Sequence, residues 1–383
     1  MSDNFAIVAF HICTMQTIGA NDLRHANGGD DVRAAIWNGP GEMFIGEVAD
    51  PSCSEDGVLL RVTACGICGT DVRTFYNGDR RISAPWVLGH EISGELIEIG
   101  SAAAEEVAQS DLSIGDHVHC ISTLWCGGCR LCRSGNEHLC VNGELMGFNH
   151  QGAYAELVAI PQIALKNLFR IPDGLSDVHA TFADPLSDVI CGHKDIAVSL
   201  DDTVVVIGAG PVGTAHAAIA RLEGAGRVLM LETATPRLDL AREILGDERT
   251  SYIDTSSIDG AKAVRDATDD IGADVVIVAC SSDIAQEQAM EMAAPRGRVL
   301  FFGGLPKGTT HMRFPSNILH YLEVQVHGSY ASRHRDQVHA LDMLADDVGG
   351  IRRVVSDVVD LDAAPQAFAR IRAGEVLKVV VRP

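Results

Sequence analysis

Two regimes of apolar spacing divide the chain. From Val32 onward, short segments alternate apolar and polar positions, among them VRAAIW, GVLLRVTA, ISGELIEIG, DHVHCIS and YAELVAI, with Gly and Pro between them. Period-two alternation between turn formers reads as strands, so this portion is a β-rich domain with many turns. Near Ser187 the pattern changes. TVVVIGAG is a continuous apolar run, followed by helical spacing through TAHAAIARLEG. RVLMLE and PRLDLAREIL repeat the pair, and DVVIVA, a helix over 287–292 and RVLFFGG continue it. Strands alternating with helices predict βαβ units and a parallel sheet. From about Asn317 the alternation stops, leaving EVQVHGSYAS, a helix near 337–345 and a final LKVVV strand. The tail is therefore expected to return to the first domain. The predicted layout is an α/β chain with an N-terminal extension over 1–30, a β-rich domain over 31–186 and 322–383, and a doubly wound parallel-sheet domain over 187–321.

Composition narrows the classes. With 383 residues, 46% of them hydrophobic, the chain can bury the cores of two domains. No run approaches the ~18–20 apolar residues that a membrane helix needs. The stretch FAIVAFHICTMQTIGA lacks a basic start and contains His11 and Gln16, so a secretory leader is not expected. Eleven cysteines, several at metal spacing, point to a reducing compartment, and the cytoplasm is the expected location. The formal net charge of −22 argues against nucleic acid or an anionic membrane as partner. The same acidity serves solubility or adaptation to high salt.

Candidate chemistry begins with GAGPVG at 208–213, between a strand and a helix. In such a turn Gly208 makes the bend, Gly210 lets the backbone approach a pyrophosphate, and Gly213 lets helix and strand pack closely. Pro211 suits the first helical turn, and Val212 continues into it. The free N–H groups of that helix favour a diphosphate, so a dinucleotide site of the Rossmann kind is expected. Glu232 ends the next strand, nineteen residues beyond Gly213. A carboxylate there accepts from a ribose 2′-hydroxyl and repels a 2′-phosphate, which predicts NAD over NADP. Arg237 lies close enough to reach an adenine face or a phosphate.

Metal ligands form a second constellation. Cys126, Cys129, Cys132 and Cys140 lie in CGGCRLCRSGNEHLC, where four thiolates from one loop can enclose a tetrahedral zinc ion. Upstream, ACGICGTD carries Cys65, Cys68, Thr70 and Asp71, and VLGHE carries His90 and Glu91; downstream, ADPLS carries Asp184. One thiolate, one imidazole and one carboxylate, far apart in sequence, suit a three-ligand zinc site with an open position.

Taken jointly, GHE at 89–91, the Gly115-Asp116-x-Val118 segment, the four-Cys lobe, DPLS, GAGPVG and the closing LKVVV resemble the zinc-containing medium-chain dehydrogenase/reductase family, in particular its polyol, sorbitol-type branch. The resemblance spans nearly the whole chain from Val32. It implies a GroES-like β-rich catalytic domain, with a structural-zinc lobe over 120–141, beside the Rossmann domain. It implies two zinc ions per chain: a catalytic one on Cys68, His90 and Asp184, with Glu91 binding the metal or its water, and a structural one on the four-Cys lobe. Thr70 is then the hydroxyl that passes the substrate proton outward, and Asp71 orients His90. Lys378 corresponds to a residue near the cofactor phosphates. Phe75, His320 and Tyr330 are candidate pocket residues. Where many relatives carry a relay histidine, this chain has Arg73.

The implied reaction is hydride transfer from a secondary alcohol of a polyol, sugar or cyclitol to NAD, giving a ketone. The alternatives are an L-threonine 3-dehydrogenase-like enzyme, a sugar-phosphate oxidoreductase, with Arg73, Arg80 and Arg81 as the anion-binding candidates, or a non-catalytic NAD-binding protein. The resemblance also implies a homodimer or homotetramer.

Overall fold

The computed structural model describes residues 31–305, 311–313 and 316–383. The extension expected over 1–30 lies outside the described residues. The chain divides into two compact units. Among the described residues, one comprises 31–181 with 358–368 and 380–383; the other comprises those within 182–357 and 369–379.

The first unit is built on antiparallel strands. Val32–Gly39 pairs with Glu42–Val48 and with Trp86–Val87. A seven-stranded sheet runs in the order Leu168–Arg170, His117–Cys120, Glu91–Ile99, Val58–Gly66, Lys378–Arg382 and Val355–Asp360, with Leu157–Ile160 also pairing to Val58–Gly66. Register is what matters for chemistry here. Val58–Gly66 and Glu91–Ile99 pair with Gly66 opposite Glu91 and Cys65 opposite Ile92. The chain just past Gly66, which carries Cys68, and the chain just before Glu91, which carries His90, therefore meet at one end of the sheet.

The second unit contains a six-stranded sheet in the order Thr250–Asp254, Arg227–Glu232, Thr203–Ile207, Ala273–Val278, Ala293–Phe301 and Gln325–Gly328, parallel throughout. The central strands read as uninterrupted apolar runs because both faces are covered. Val204, Val205 and Val206 are fully buried, as are Val275, Val276 and Ile277. Thr250–Asp254 and the helix Gly260–Ala267 complete a βαβ unit that the apolar pattern does not reveal. The helix expected over 287–292 starts earlier, at Asp283, where the Ser282 side chain accepts from the Ala285 N–H.

The domain boundary moves from the expected one. Residues 322–357 belong to the second unit rather than returning to the first. Gln325–Gly328 adds to the sheet alongside Ala293–Phe301, and the His334–Ala345 helix packs on the Ala183–Ile196 helix. Polar contacts tie the segment to the Ala183–Ile196 helix: Ser187 Oγ lies 2.7 Å from the buried Ser332 Oγ, just before the later helix, and Lys194 pairs with Asp336 within it. The return comes only with 358–368 and 380–383, while 369–379 also belongs to the second unit.

Candidate functional site

Cys68 sits at the start of the Gly69–Asn77 helix and caps it. Its Sγ accepts from the Thr70 N–H at 3.4 Å, and Asp71 Oδ2 accepts from the Cys68 N–H at 3.1 Å. The helix N-terminus favours negative charge at the capping sulfur. His90 Nδ1 lies 3.0 Å from Asp71 Oδ1. Because that carboxylate is ionised, Nδ1–H donates to it and the ring presents Nε2. Gly89 makes the approach possible. Its φ is +101°, and a Cβ there would lie 2.9 Å from both Cys65 Sγ and the Tyr154 ring.

One ligand atom each from Cys68, His90 and Glu91 lies within 4.8 Å of the others, and both His90 and Glu91 are buried. Burial alone would lower the His90 pKa, but the Asp71 carboxylate and the Cys68 sulfur outweigh it and hold it well above the usual histidine range. Burial would raise Asp71, yet His90, the Cys68 N–H and the Tyr154 hydroxyl bring it below its ordinary value. A thiolate, an imidazole Nε2 and a carboxylate suit zinc. Asp184 belongs to the second unit, in the first turn of the Ala183–Ile196 helix. It is buried, and its Oδ1 accepts from Gln337 Nε2 at 3.4 Å.

The four-Cys loop closes as its spacing predicts. Sγ–Sγ distances are 3.4 Å for Cys129–Cys132, 3.5 Å for Cys126–Cys140, 3.9 Å for Cys129–Cys140 and 4.0 Å for Cys126–Cys132. All four are free thiols, so these are not disulfides. Backbone N–H groups, that of Cys132 foremost, lower Cys129 to about 6. Burial first, then Cys129 and Cys140, push Cys132 up to about 12. Four sulfurs this close cannot all carry charge without a cation among them, which is what a Cys₄ zinc site supplies.

In the second unit, Thr203–Ile207 leads through the glycine turn into the Pro211–Leu222 helix, with Gly210 at its N-cap and Pro211 in its first turn. A Cβ on Gly213 would stand 1.8 Å from the Gly208 carbonyl oxygen, whereas one on Gly210 meets nothing within 4 Å. The first glycine seats helix on strand; the second leaves open the space that a diphosphate would take. Glu232 is tied into this turn. Its Oε2 accepts from the Ala209 N–H at 3.0 Å, and its Oε1 from the Thr233 and Ala234 N–H groups at 2.7 and 3.1 Å. Arg237 Nη1 lies 4.0 Å from Glu232, and Nη2 donates to the Ile371 carbonyl.

The alcohol dehydrogenase GroES-like domain model matches residues 54–173, and the zinc-binding dehydrogenase model matches residues 211–346. A sorbitol dehydrogenase of Halalkalibacterium halodurans is 30% identical over 352 residues, covering 90% of this chain and 97% of that one. This chain belongs to the zinc-containing medium-chain dehydrogenase/reductase family. An L-threonine 3-dehydrogenase of Pseudoalteromonas atlantica is also 30% identical, over 90% of this chain and 96% of its own. Among solved structures, the alcohol dehydrogenase TADH of Thermus sp. ATN1 superposes with TM-score 0.83 at 30% identity, over 92% of this chain and 99% of that one. A zinc-binding dehydrogenase of Sinorhizobium meliloti 1021, bound to NADP, gives 0.81 at 28% identity, over 93% and 100%. The enzyme is thus a zinc-binding dehydrogenase acting on alcohols, with a GroES-like and a Rossmann-like domain.

The remaining expected site residues of this dehydrogenase stand as follows. Phe75 is buried against Phe368 and Tyr76, with ring centroids 4.8 Å away in each case. His320 and Tyr330 are exposed in the second unit, and His320 packs edge-on against Tyr321. Lys378 is buried, and its backbone N–H donates to Ser356 Oγ. Arg73 Nη2 lies 3.5 Å from Thr70 Oγ1, while Arg81 is clasped by Asp79 and covers the Phe148 ring. Sequence reading missed Tyr154, Gln337 and the His193–His216 pair, whose polar contacts are made with residues distant in the chain or on another helix.

Among the described residues, no helix is long and apolar enough to cross a membrane.

Proposed function

We propose that the enzyme is a zinc-dependent, NAD-preferring dehydrogenase that oxidises a secondary hydroxyl of a polyol, sugar or cyclitol to a ketone. The observation that carries this reading is the buried Cys68–His90–Glu91 cluster braced by Asp71. Bound there, zinc would supply Lewis acidity toward an alcohol oxygen, and a bound nicotinamide the hydride acceptor. Cys126, Cys129, Cys132 and Cys140 would hold the second, structural zinc. Thr70 Oγ1 receives the substrate proton. Arg73, permanently charged, cannot pass it on, so the relay ends at Thr70 or continues through water. Gly208–Gly213 and the following helix turn hold the diphosphate.

The preference for NAD rests on Glu232. Three backbone N–H groups fix its carboxylate at the strand end, where it meets a ribose 2′-hydroxyl favourably and a 2′-phosphate as a like charge. The Sinorhizobium neighbour bound to NADP makes this the point to test. Initial rates with NAD and NADP, for wild type and Glu232→Ala, decide it. Wild type should favour NAD and the variant should lose that preference; a wild type faster with NADP refutes the assignment.

A second substrate reading has an observation of its own. Arg73 places a guanidinium beside Thr70, where it would suit a carboxylate such as that of L-threonine. NADH formation from polyols, cyclitols, L-threonine and simple alcohols, with and without a zinc chelator, separates the two. Chelator-sensitive turnover of a polyol class supports the first reading, and turnover of L-threonine alone replaces it with the second.

A further inference from the structure

We propose that Tyr154 is a positioning residue for the Cys68–His90 centre, acting through Asp71. The proposal rests on reading Cys68 and His90 as zinc ligands. Tyr154 lies in the QGAYAELV segment, is fully buried, and has its hydroxyl 2.8 Å from Asp71 Oδ2 and 3.2 Å from the Gly66 carbonyl. The phenol has one proton to donate. The carboxylate is both the nearer and the charged acceptor, so the proton lies on that side. Asp71 Oδ2 also receives the Cys68 N–H, while Oδ1 faces His90 Nδ1. With donors on both oxygens the carboxylate cannot rotate, and its orientation fixes the plane of the imidazole.

The ring of Tyr154 has a separate duty. It packs edge-on to Phe368, with centroids 6.0 Å apart, and lies against Gly89. Tyr154→Phe keeps that body and removes only the hydroxyl. Groups that orient a metal-ligating histidine typically contribute about ten- to a hundredfold in metal affinity. Tyr154 stands one bond further out, so the lower end, about tenfold, is expected.

The experiment uses the zinc-loaded enzyme and follows metal transfer to a chromophoric chelator for wild type, Tyr154→Phe, Asp71→Asn and the double variant. Cys68→Ser identifies the phase that belongs to this centre, and zinc per chain is measured alongside. The cobalt-substituted absorption spectrum gives a second readout of ligand orientation. Tyr154→Phe should release this centre's metal about tenfold faster and alter the cobalt bands, leaving the four-Cys phase unchanged. In the Asp71→Asn background it should change release by no more than about twofold, because its partner is already gone. The proposal is overturned if Tyr154→Phe matches wild type, if it keeps its full effect beside Asp71→Asn, or if both metal phases accelerate together. A chain with one zinc whose content Cys68→Ser leaves unaltered would instead sink the zinc reading on which the proposal stands.

Discussion

Substituting alanine at Gly213 and at Gly210 should damage the enzyme in two different ways. At Gly213 the new Cβ would stand 1.8 Å from the Gly208 carbonyl oxygen, against an ordinary contact of 3.4 Å or more. The helix must back away from the strand by the difference, about 1.6 Å. The strand side cannot yield. Thr203–Ile207 is paired on both edges, and Gly208 donates to the Leu231 carbonyl at 2.7 Å. The helix side is also held, through Ala209 to Glu232 and through His216 to His193 at 3.0 Å. Overpacking of this kind costs about 1–3 kcal/mol. The displaced N–H groups should also weaken NAD, since a shift of roughly 1 Å in a positioning group can cost about a hundredfold. At Gly210 the Cβ meets nothing in the protein, so Gly210→Ala should keep its urea midpoint and lose NAD affinity alone. Urea denaturation and calorimetric NAD titration on both variants read the two effects separately. An unchanged midpoint for Gly213→Ala would refute the packing argument. Unchanged NAD binding by Gly210→Ala would refute the diphosphate assignment.

Other predictions address the rest of the molecule. His216 is fully buried; burial first, and His193 beside it, hold its pKa well below the ordinary value, while His193 pairs with Glu223 and Phe302 packs edge-on against the His216 ring. The unfolded chain takes up this proton near about 6.5 and the folded chain resists it. That contribution to stability is therefore complete above about 6.5 and is lost as pH falls toward the folded value. Midpoints for wild type should drop more steeply with acid than those of His216→Gln, and parallel curves would count against the argument. Cys132→Ser should cost one zinc per chain by elemental analysis and leave the Cys68 metal in place; retention of both ions would show that the four sulfurs do not act as a unit. Phe368→Ala removes a fully buried ring that touches Phe75 and Tyr154, and should destabilise by about 3–5 kcal/mol in urea. A loss below about 1 kcal/mol would mean that this core collapses around the gap.

Legibility followed how much of each element's environment is local. The Rossmann strands were readable because a strand buried on both faces must be apolar at every position, as Val204–Val206 and Val275–Ile277 are. Thr250–Asp254 escaped because it is an edge strand with mostly half-buried residues, so no apolar run marks it. The tail was misplaced because EVQVHGSYAS reads as a strand in either domain; which sheet it joins depends on an edge beside Ala293–Phe301 that the segment itself does not encode. The packing of Phe75 on Phe368, almost three hundred residues away in the chain, is likewise not legible from its place after the Cys68 motif.

The sequence by itself determined whatever depends on spacing within one segment. The four-Cys loop, the glycine turn and the cap that places Asp71 three residues after Cys68 are closed by bonds among near neighbours, so their residue order is their geometry. Only the tertiary structure decided what depends on strand register and helix packing. Opposing Gly66 to Glu91 brings Cys68 to His90, and folding the 154 segment behind them lays a tyrosine hydroxyl on Asp71. Those contacts join residues dozens of positions apart. The chain must first pay the entropy of closing such loops, and it recovers that cost only from the burial of the whole sheet, which no local pattern records.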